Sequence, residues 1–384
     1  MGQARGHPPA ARGHEGHHGG QAQAYKDLAD YATNKIRRPD LCQELWEKVR
    51  AIDPQDVDAL RALVTFYDQN REWDALTQAV DELVELIDDP AEKVDLLQRS
   101  GIALQERVGD RERSVEVWQR LLVLDPENRR AGDALKKALI ELMDWDALTT
   151  YFAERDRHSE LVKVLEGQVG FQQDDAVRID LLFRSARIWA ENCDQQDRAV
   201  RALERILQIE PGNVEGARAL EPVYSEREDH RKLAGVLEIL LTHEQAPAER
   251  RRIMLRLAEL NEQHLRNPSQ AFSWLRQVVG EHPADAEARG ELERLGGAIH
   301  QWDAVHDDLV EALGRVAMEP DVDVDAAQLA ILLSLARILD TQMGRGDDAL
   351  QRYHDALDLD PENREALDAV EMLYERSARW ADLL

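Results

Sequence analysis

The stretch SGIALQERVGDRERSVEVWQRLLVLDPEN, residues 100–128, contains the pattern that decides the fold. Its proline is one of five that stand in related settings along the chain: Pro54, Pro126, Pro211, Pro283 and Pro361. The intervals between successive prolines are 72, 85, 72 and 78 residues. A period in this range indicates a repeat protein, in which each helical unit buries its apolar face only against its neighbours.

Positions at fixed distances from each proline carry the same kind of residue. A small residue stands twenty-five positions before each proline, at Ala29, Gly101, Ala186, Ala258 and Ala336. A large apolar residue stands eight positions before, at Trp46, Trp118, Leu203, Leu275 and Tyr353. Nineteen positions after the prolines, four of the five residues are tryptophan: Trp73, Trp145, Trp302 and Trp380. This pattern predicts antiparallel helix pairs. The small residues lie where two helices cross, the large apolar residues pack beside them, and the proline opens the next helix.

This pattern resembles the tetratricopeptide repeat (TPR) family, whose motif places small, aromatic, alanine and proline residues along two helices. The second unit supplies Gly101, Ser114 in an alanine position, Trp118 and Pro126. The fifth unit, LARILDTQMGRGDDALQRYHDALDLDPEN at 335–363, supplies Ala336, Ala349, Tyr353 and Pro361. The resemblance runs from about Gln23 to the end, and the large TPR proteins of proteobacteria look similar. It implies an all-α, right-handed superhelical solenoid of helical hairpins with about nineteen or twenty helices.

The chain divides into a short tail and the repeats. Residues 1–22 are rich in histidine and glycine without apolar periodicity, so we expect them to be disordered. Residues 23–384 form the five units of about 72–85 residues, and a surplus of 13 residues predicts one extra short helix within 145–157. The last residues stop about one turn into the helix that Trp380 is predicted to begin, so we expect a chain truncated from a longer protein.

Composition and charge limit the kinds of partner. The 76 acidic and 48 basic residues give a net charge of −28, which argues against a nucleic-acid binder because phosphate backbones are held by clustered Lys and Arg. No apolar run approaches the roughly eighteen residues that cross a bilayer, and residues 1–24 lack the apolar stretch of a signal peptide. We therefore expect a cytoplasmic protein without membrane insertion.

Sequence motifs for metal binding or catalysis are weak in this chain. Asp321, Asp323 and Asp325 resemble the start of a calcium loop, but Ala326 and Leu332 occupy the positions where that loop needs glycine and glutamate. A turn that caps the next helix is the alternative. Phosphate-binding glycine loops, zinc-protease motifs and nucleophile elbows are missing from the sequence. The sequence predicts a protein that is not an enzyme and takes no cofactor or metal.

The TPR resemblance implies a binding face. In that family the first helix of each hairpin lines a concave surface on which peptides lie. On these helices the corresponding positions stand one, four and five residues after the small residue of each unit. They give the candidate binding residues Ile102, Gln105, Arg187, Glu191, Glu259, Glu262 and Arg337. The set is mixed but lies in an acidic chain, which favours a basic or amphipathic protein segment as partner. The alternative that the charges only keep a long solenoid soluble stays open.

Two functions fit these observations. The first is a non-enzymatic scaffold that binds partner protein segments on the concave helical face. The second is a regulatory or sensor arm cut from a longer enzyme or from a secretion or motility component. The full-length gene would discriminate between them, and the sequence leaves the partner, the pathway and the oligomeric state open.

Overall fold

A computed structural model describes residues 15–36, 39–319 and 322–377. Within these ranges the chain forms twenty α-helices, three short π-helical turns and one short 3-10 helix, and it contains no strand. The helices fall into two compact units, Met1–Leu161 and Val162–Leu384, which divide within one helix. The described residues therefore have the all-α architecture of helical hairpins that the repeat pattern predicts.

The first unit contains eight complete helices, and consecutive ones pack on each other. They are α1 (Glu15–Tyr31), α2 (Pro39–Ile52), α3 (Val57–Asn70), α4 (Trp73–Leu86), α5 (Pro90–Ala103), α6 (Arg111–Leu124), α7 (Arg129–Leu142) and α8 (Trp145–Ala153). The division between the units falls inside α9 (His158–Val169).

The second unit continues the same stacking of consecutive helices from α10 onward. Its helices are α10 (Asp175–Glu191), α11 (Gln196–Ile209), α12 (Val214–Glu226), α13 (His230–His243), α14 (Pro247–Glu259), α15 (Pro268–Glu281), α16 (Ala286–Ala298), α17 (Trp302–Arg315), α18 (Val324–Thr341), α19 (Gly346–Leu359) and α20 (Arg364–Arg376). Within each unit, the helices bury their apolar faces against the helices next to them in the chain, as in a repeat protein.

The first helix begins earlier than the sequence suggests. Helix α1 starts at Glu15, so residues 15–22 of the segment for which we expect disorder are helical in the structure. The reason is local, because Gln21, Ala22, Gln23 and Ala24 are good helix formers that extend α1 toward its N-terminus. Residues 1–14 lie outside the described residues.

The small residues of the repeat lie in the core. Ala29 and Ala336 are fully buried, Ala186 and Ala258 are 5% exposed, and Gly101 is also buried. The large apolar residues seventeen positions further on are buried as well, at Trp46, Trp118, Leu203, Leu275 and Tyr353. Of the four repeat tryptophans, Trp145 is buried, Trp73 and Trp302 are half-buried, and Trp380 lies outside the described residues.

The five repeat prolines do not open the following helices, and that part of the sequence interpretation is wrong. Each proline lies in the turn before the helix, three residues ahead of the first helical residue. In the first such turn the backbone N–H of Asp56 donates to the carbonyl of Asp53 at 3.3 Å, with Pro54 second in the turn. Proline suits this position because its fixed φ matches the turn and its missing N–H is not needed there.

The residue two positions after each proline caps the next helix. Its side-chain oxygen accepts the backbone N–H of the residue three positions further on, over 2.8–3.2 Å. The capping residues are Asp56, Asn128, Asn213, Asp285 and Asn363. Proline and cap together therefore form one repeated turn that stops one helix and starts the next.

A second repeated turn lies two residues before Trp73, Trp145, His230 and Trp302, the described positions nineteen residues after a repeat proline. Arg71, Met143, Glu228 and His300 adopt left-handed backbone conformations with φ of 54–62°. In the turn after α7, the N–H of Asp144 donates to the carbonyl of Leu139 at 3.0 Å, which satisfies a carbonyl at the helix end. None of these four residues is glycine, although the left-handed region favours it.

We expect Met143→Gly to stabilise the protein by about 0.5–1 kcal/mol, because glycine removes the steric cost of the left-handed backbone. The Met143 side chain is 53% exposed, so its loss removes little packing. Urea denaturation of the parent, Met143→Gly and Met143→Ala measures the effect. Alanine keeps the backbone cost, and an equal gain in both variants would contradict the explanation.

The tightest crossing in the first unit joins Gly101 to Trp118. A Cβ atom at Gly101 would lie 2.7 Å from the Trp118 indole, closer than van der Waals contact allows. The indole is 1% exposed, and its Nε1–H donates to Gln105 Oε1 at 3.2 Å, so it is fixed on two sides. Glycine is required here because the Trp118 ring lies directly over Gly101, whereas the first unit combines alanine with tryptophan at these positions and the third and fourth units combine alanine with leucine.

We expect Gly101→Ala to reduce the free energy of unfolding by about 1–3 kcal/mol through overpacking against Trp118. Trp118→Leu alone leaves a cavity, but the two changes together restore the alanine–leucine combination of the third and fourth units. A double-mutant cycle in urea should therefore give a combined cost well below the sum of the single costs. Strictly additive costs would show that the two residues do not constrain each other.

Candidate binding face on the first helices of the hairpins

The candidate binding residues lie on the first helices of the hairpins, as the resemblance implies. In the first unit these first helices are α1, α3, α5 and α7, and in the second they are α10, α12, α14, α16, α18 and α20. Ile102 lies on α5 and Gln105 in the turn that follows it. The other five residues lie on or directly after helices of the second unit: Arg187 and Glu191 on α10, Glu259 on α14, Glu262 just after α14, and Arg337 on α18.

Three of the first helices end in a π-helical turn. These turns cover Ala32–Ile36, Leu104–Val108 and Leu260–His264, at the ends of α1, α5 and α14. A π-helical turn bonds each N–H one residue further back than an α-helix does, so it redirects the side chains that follow. Gln105 and Glu262 lie in such turns, and the α-helical register used to select them does not hold there.

The two candidate residues of the first unit are part of its packing. Ile102 is half-buried. Gln105 accepts the indole N–H of Trp118 at 3.2 Å and donates its amide to the carbonyl of Ala134 at 3.4 Å. The Gln105 side chain thereby joins α5 to α6 and α7, which gives it a structural role in the described hairpins.

The candidate residues of the second unit differ in their surroundings. Arg187, Glu191 and Glu259 are exposed, and the side chain of none of the three makes a hydrogen bond or ion pair within the described residues. Glu262 is half-buried and accepts the Arg294 guanidinium at 2.7 Å. Arg337 is exposed and pairs with Glu365 at 3.3 Å, where screening by water keeps the energy small. No bond among the described residues joins the residues of α10 to those of α14.

Polar contacts between successive first helices include residues that sequence reasoning missed. Arg251 of α14 pairs with Asp285, the cap of α16, at 2.5 Å. Arg256 of α14 donates to the Ser225 hydroxyl of α12 at 3.1 Å. Arg294 of α16 binds Glu262 after α14. The partners on α12 and α16 follow the prolines, where the repeat pattern is weak, so no sequence signal marked them.

Two of the ion pairs on this face shift the pKa of their members. The Arg294 guanidinium donates hydrogen bonds to the carboxylates of Glu262 and Glu291, and these bonds raise its pKa. Burial acts to raise the pKa of Asp285, but the Arg251 guanidinium and the backbone N–H of Ala288 outweigh it, so the pKa lies below its usual range. Asp285 therefore stabilises the folded state above its unfolded pKa of about 3.9, and this contribution is lost as the pH falls through the lower folded value.

We expect Asp285→Asn to keep the helix cap but to lose the ion pair with Arg251, at a cost of about 1 kcal/mol near neutral pH. The difference from the parent should begin to shrink as the pH falls below about 4, since the unfolded chain takes up a proton there, and it should vanish once the pH is below the lower folded pKa. Urea denaturation at several pH values measures the difference. A cost that does not change between neutral pH and strongly acid pH would contradict the assignment.

The aspartates that resemble the start of a calcium loop are the motif to compare with the structure. Among the described residues, no group of three or more His, Cys, Asp or Glu side chains could hold a metal ion. Asp323 caps α18 by accepting the N–H of Ala326 at 3.2 Å, which is the alternative to a calcium loop, and Asp321 lies outside the described residues. No helix among the described residues has the length and hydropathy to cross a membrane.

Comparisons with known proteins give only distant likenesses. No family model matches the chain, and no curated protein matches it. The chain aligns with the TPR domain of P58(IPK) at 15% identity over 94% of this chain and 99% of that one, with a TM-score of 0.24. For yeast Tom70 the identity is 10%, the alignment covers 93% of this chain and 88% of that one, and the TM-score is 0.28. For the structure of Naa15/Naa10 bound to HypK-THB the identity is 16%, the alignment covers 94% of this chain and 56% of that one, and the TM-score is 0.29. With TM-scores this low, nothing about the partner of this chain is inferred from these proteins.

Proposed function

We propose that this protein is a non-enzymatic scaffold of the cytoplasm that binds a basic or amphipathic segment of a partner protein. The proposed contact surface is the first-helix face of the second unit, defined by Arg187, Glu191, Glu259 and Glu262. The observation that carries the proposal is the group of three exposed charges on α10 and α14 that have no partner among the described residues. Their neighbours on the same helices are bonded.

The contrast with those neighbours is clear on both helices. On α10, Arg178 bonds Asp175 at 2.6 Å and Arg184 bonds Asp180 at 2.7 Å. On α14, Arg251 and Arg256 bond the neighbouring first helices. An exposed charge without a partner keeps its full interaction for a binding protein and loses no existing bond when it is used. Arg187, Glu191 and Glu259 are therefore the best placed charges on these helices to meet a partner.

The sign of the charge favours a basic partner. Two of the three unbonded residues are carboxylates, and the chain carries a net charge of −28. A surface of this sign accelerates the approach of a basic segment, and the attraction weakens with salt because exposed charges are screened beyond about 8 Å at physiological ionic strength. Glu262 is a poorer target for mutation, since its change would also break the pair with Arg294.

We expect Glu191→Lys combined with Glu259→Lys to abolish the salt-sensitive capture of basic partner proteins from a native lysate. The matched control combines Glu116→Lys on α6 with Asp358→Lys on α19, two exposed residues on second helices of their hairpins. Both double variants change the net charge equally. Captured proteins are identified by mass spectrometry at low and high salt.

A photo-crosslinking amino acid in place of Arg187 should attach to the same partner, whereas one in place of Asp358 should not. Identical capture by the parent and both double variants would contradict the proposed face and favour charges that only keep the protein soluble. Equal losses in both double variants would show that net charge alone governs capture.

A further inference from the structure

A groove of about 1300 Å³ lies at the proline turn between α6 and α7. Its walls come from the end of α6, the start of α7 and the short helix α8, all within the first unit. Leu122, Val123, Gly132 and Tyr151 are among the residues that line it. Because it lies at the helix turns, it does not include any of the candidate residues of the first-helix face.

An equivalent groove 72 residues earlier in the chain is much smaller. That groove has a volume of about 610 Å³ and is lined by residues that include Arg50, Ala51, Glu82 and Leu86. There Arg50 pairs with Glu82 at 2.6 Å, so the ion pair crosses from α2 to α4. Helix α4 has 14 residues, and it carries Glu82 and Leu86 in its last turns.

Two changes open the larger groove. Leu122 stands where the first unit has Arg50, so the crossing ion pair cannot form. Helix α8 has 9 residues and ends at Ala153, one residue before Glu154, the equivalent of Glu82. A short helix therefore lies within 145–157, where the surplus of residues predicts one, and its shortness leaves the turn between α6 and α7 uncovered.

The uncovered turn presents an apolar side chain to solvent. Val123 is 81% exposed and stands where the first unit has the smaller Ala51. Beside it, the ring of Tyr151 packs edge-on against Phe152 with centroids 5.3 Å apart, and the Tyr151 hydroxyl fills the space above Gly132. The Arg155 guanidinium lies 4.2 Å from the centre of the Tyr151 ring, so the exposed Val123 supplies most of the apolar contact for an inserted side chain of a partner.

The rim of the groove is locally more basic than the rest of the chain. The charged lining residues comprise four cations and three carboxylates: Arg129, Lys136, Arg155, Arg157, Glu127, Asp133 and Glu154. Lys136 is paired with Asp133 at 2.6 Å, and Arg157 with Glu160 at 2.6 Å. Arg129 is exposed and has no bonded partner among the described residues. It is the first residue of α7, where the helix dipole also favours a carboxylate.

We propose that this groove is a second binding site, which takes an extended peptide segment that combines an apolar side chain with a neighbouring carboxylate. The apolar side chain packs on Val123 and Tyr151, and the carboxylate pairs with Arg129 at the start of α7. The partner is opposite in charge to the one proposed for the first-helix face, so the two sites do not compete. The site does not depend on the proposed function of the second unit.

The experiment measures the fluorescence anisotropy of labelled peptides titrated with the full chain. The probe is a short peptide of alternating Leu and Asp, and the comparison peptide replaces each Asp with Lys. Val123→Ser combined with Arg129→Glu should weaken binding of the Leu–Asp peptide at least about tenfold. Arg130→Glu is the matched control, because Arg130 is exposed, adjacent to Arg129 and outside the groove lining.

The parent and Arg130→Glu should bind the Leu–Asp peptide alike and bind the Leu–Lys peptide at least about tenfold more weakly. Thermal melts should be the same for all variants, because the changed side chains are exposed. The proposal is overturned if the parent does not bind the Leu–Asp peptide, if it binds the Leu–Lys peptide as well, or if the groove variant binds like the parent.

Discussion

The close crossing of a small residue with a large apolar one is the interaction on which the described hairpins depend. At Gly101 and Trp118 the two helices approach so closely that no Cβ atom fits between them. A solenoid has no central core, so each hairpin is stabilised only by the faces it shares with its neighbours. At Gly101 the close contact joins α5 to α6, the two helices of one hairpin, so a substitution there acts first on the packing within that hairpin.

The same constraint explains which parts of the fold were readable from the sequence. A buried position accepts only side chains of a certain size, and residues of the same size recur every 72–85 residues along this chain. The helix pairs and the short helix α8 were therefore predictable. The role of the prolines was misassigned, since a proline at the start of a helix and one in the preceding turn give the same spacing. The capping residues that follow, such as Asp56 and Asn128, are the local signal that distinguishes the two arrangements.

The candidate site was less predictable for a physical reason. Exposed positions are not constrained by packing, so they do not repeat, and their roles depend on bonds that form only in the folded chain. Gln105 holds an indole in place and Glu262 binds Arg294, yet both were selected by the same transfer of positions as the unbonded charges. The π-helical turns after α5 and α14 also shift the register in a way that residue types do not reveal.

The central claim is that the hairpins are held in register by the buried small residues, with the repeated turns between them exposed to solvent. Hydrogen–deuterium exchange followed by mass spectrometry tests it on the full chain. The account predicts that amides around Gly101, Ala186, Ala258 and Ala336 exchange slowest. It predicts fast exchange at the turns of the five repeat prolines and between α8 and α9. Slow exchange at those turns would contradict the account, and so would amides around the small residues that exchange no more slowly than the rest of the helices.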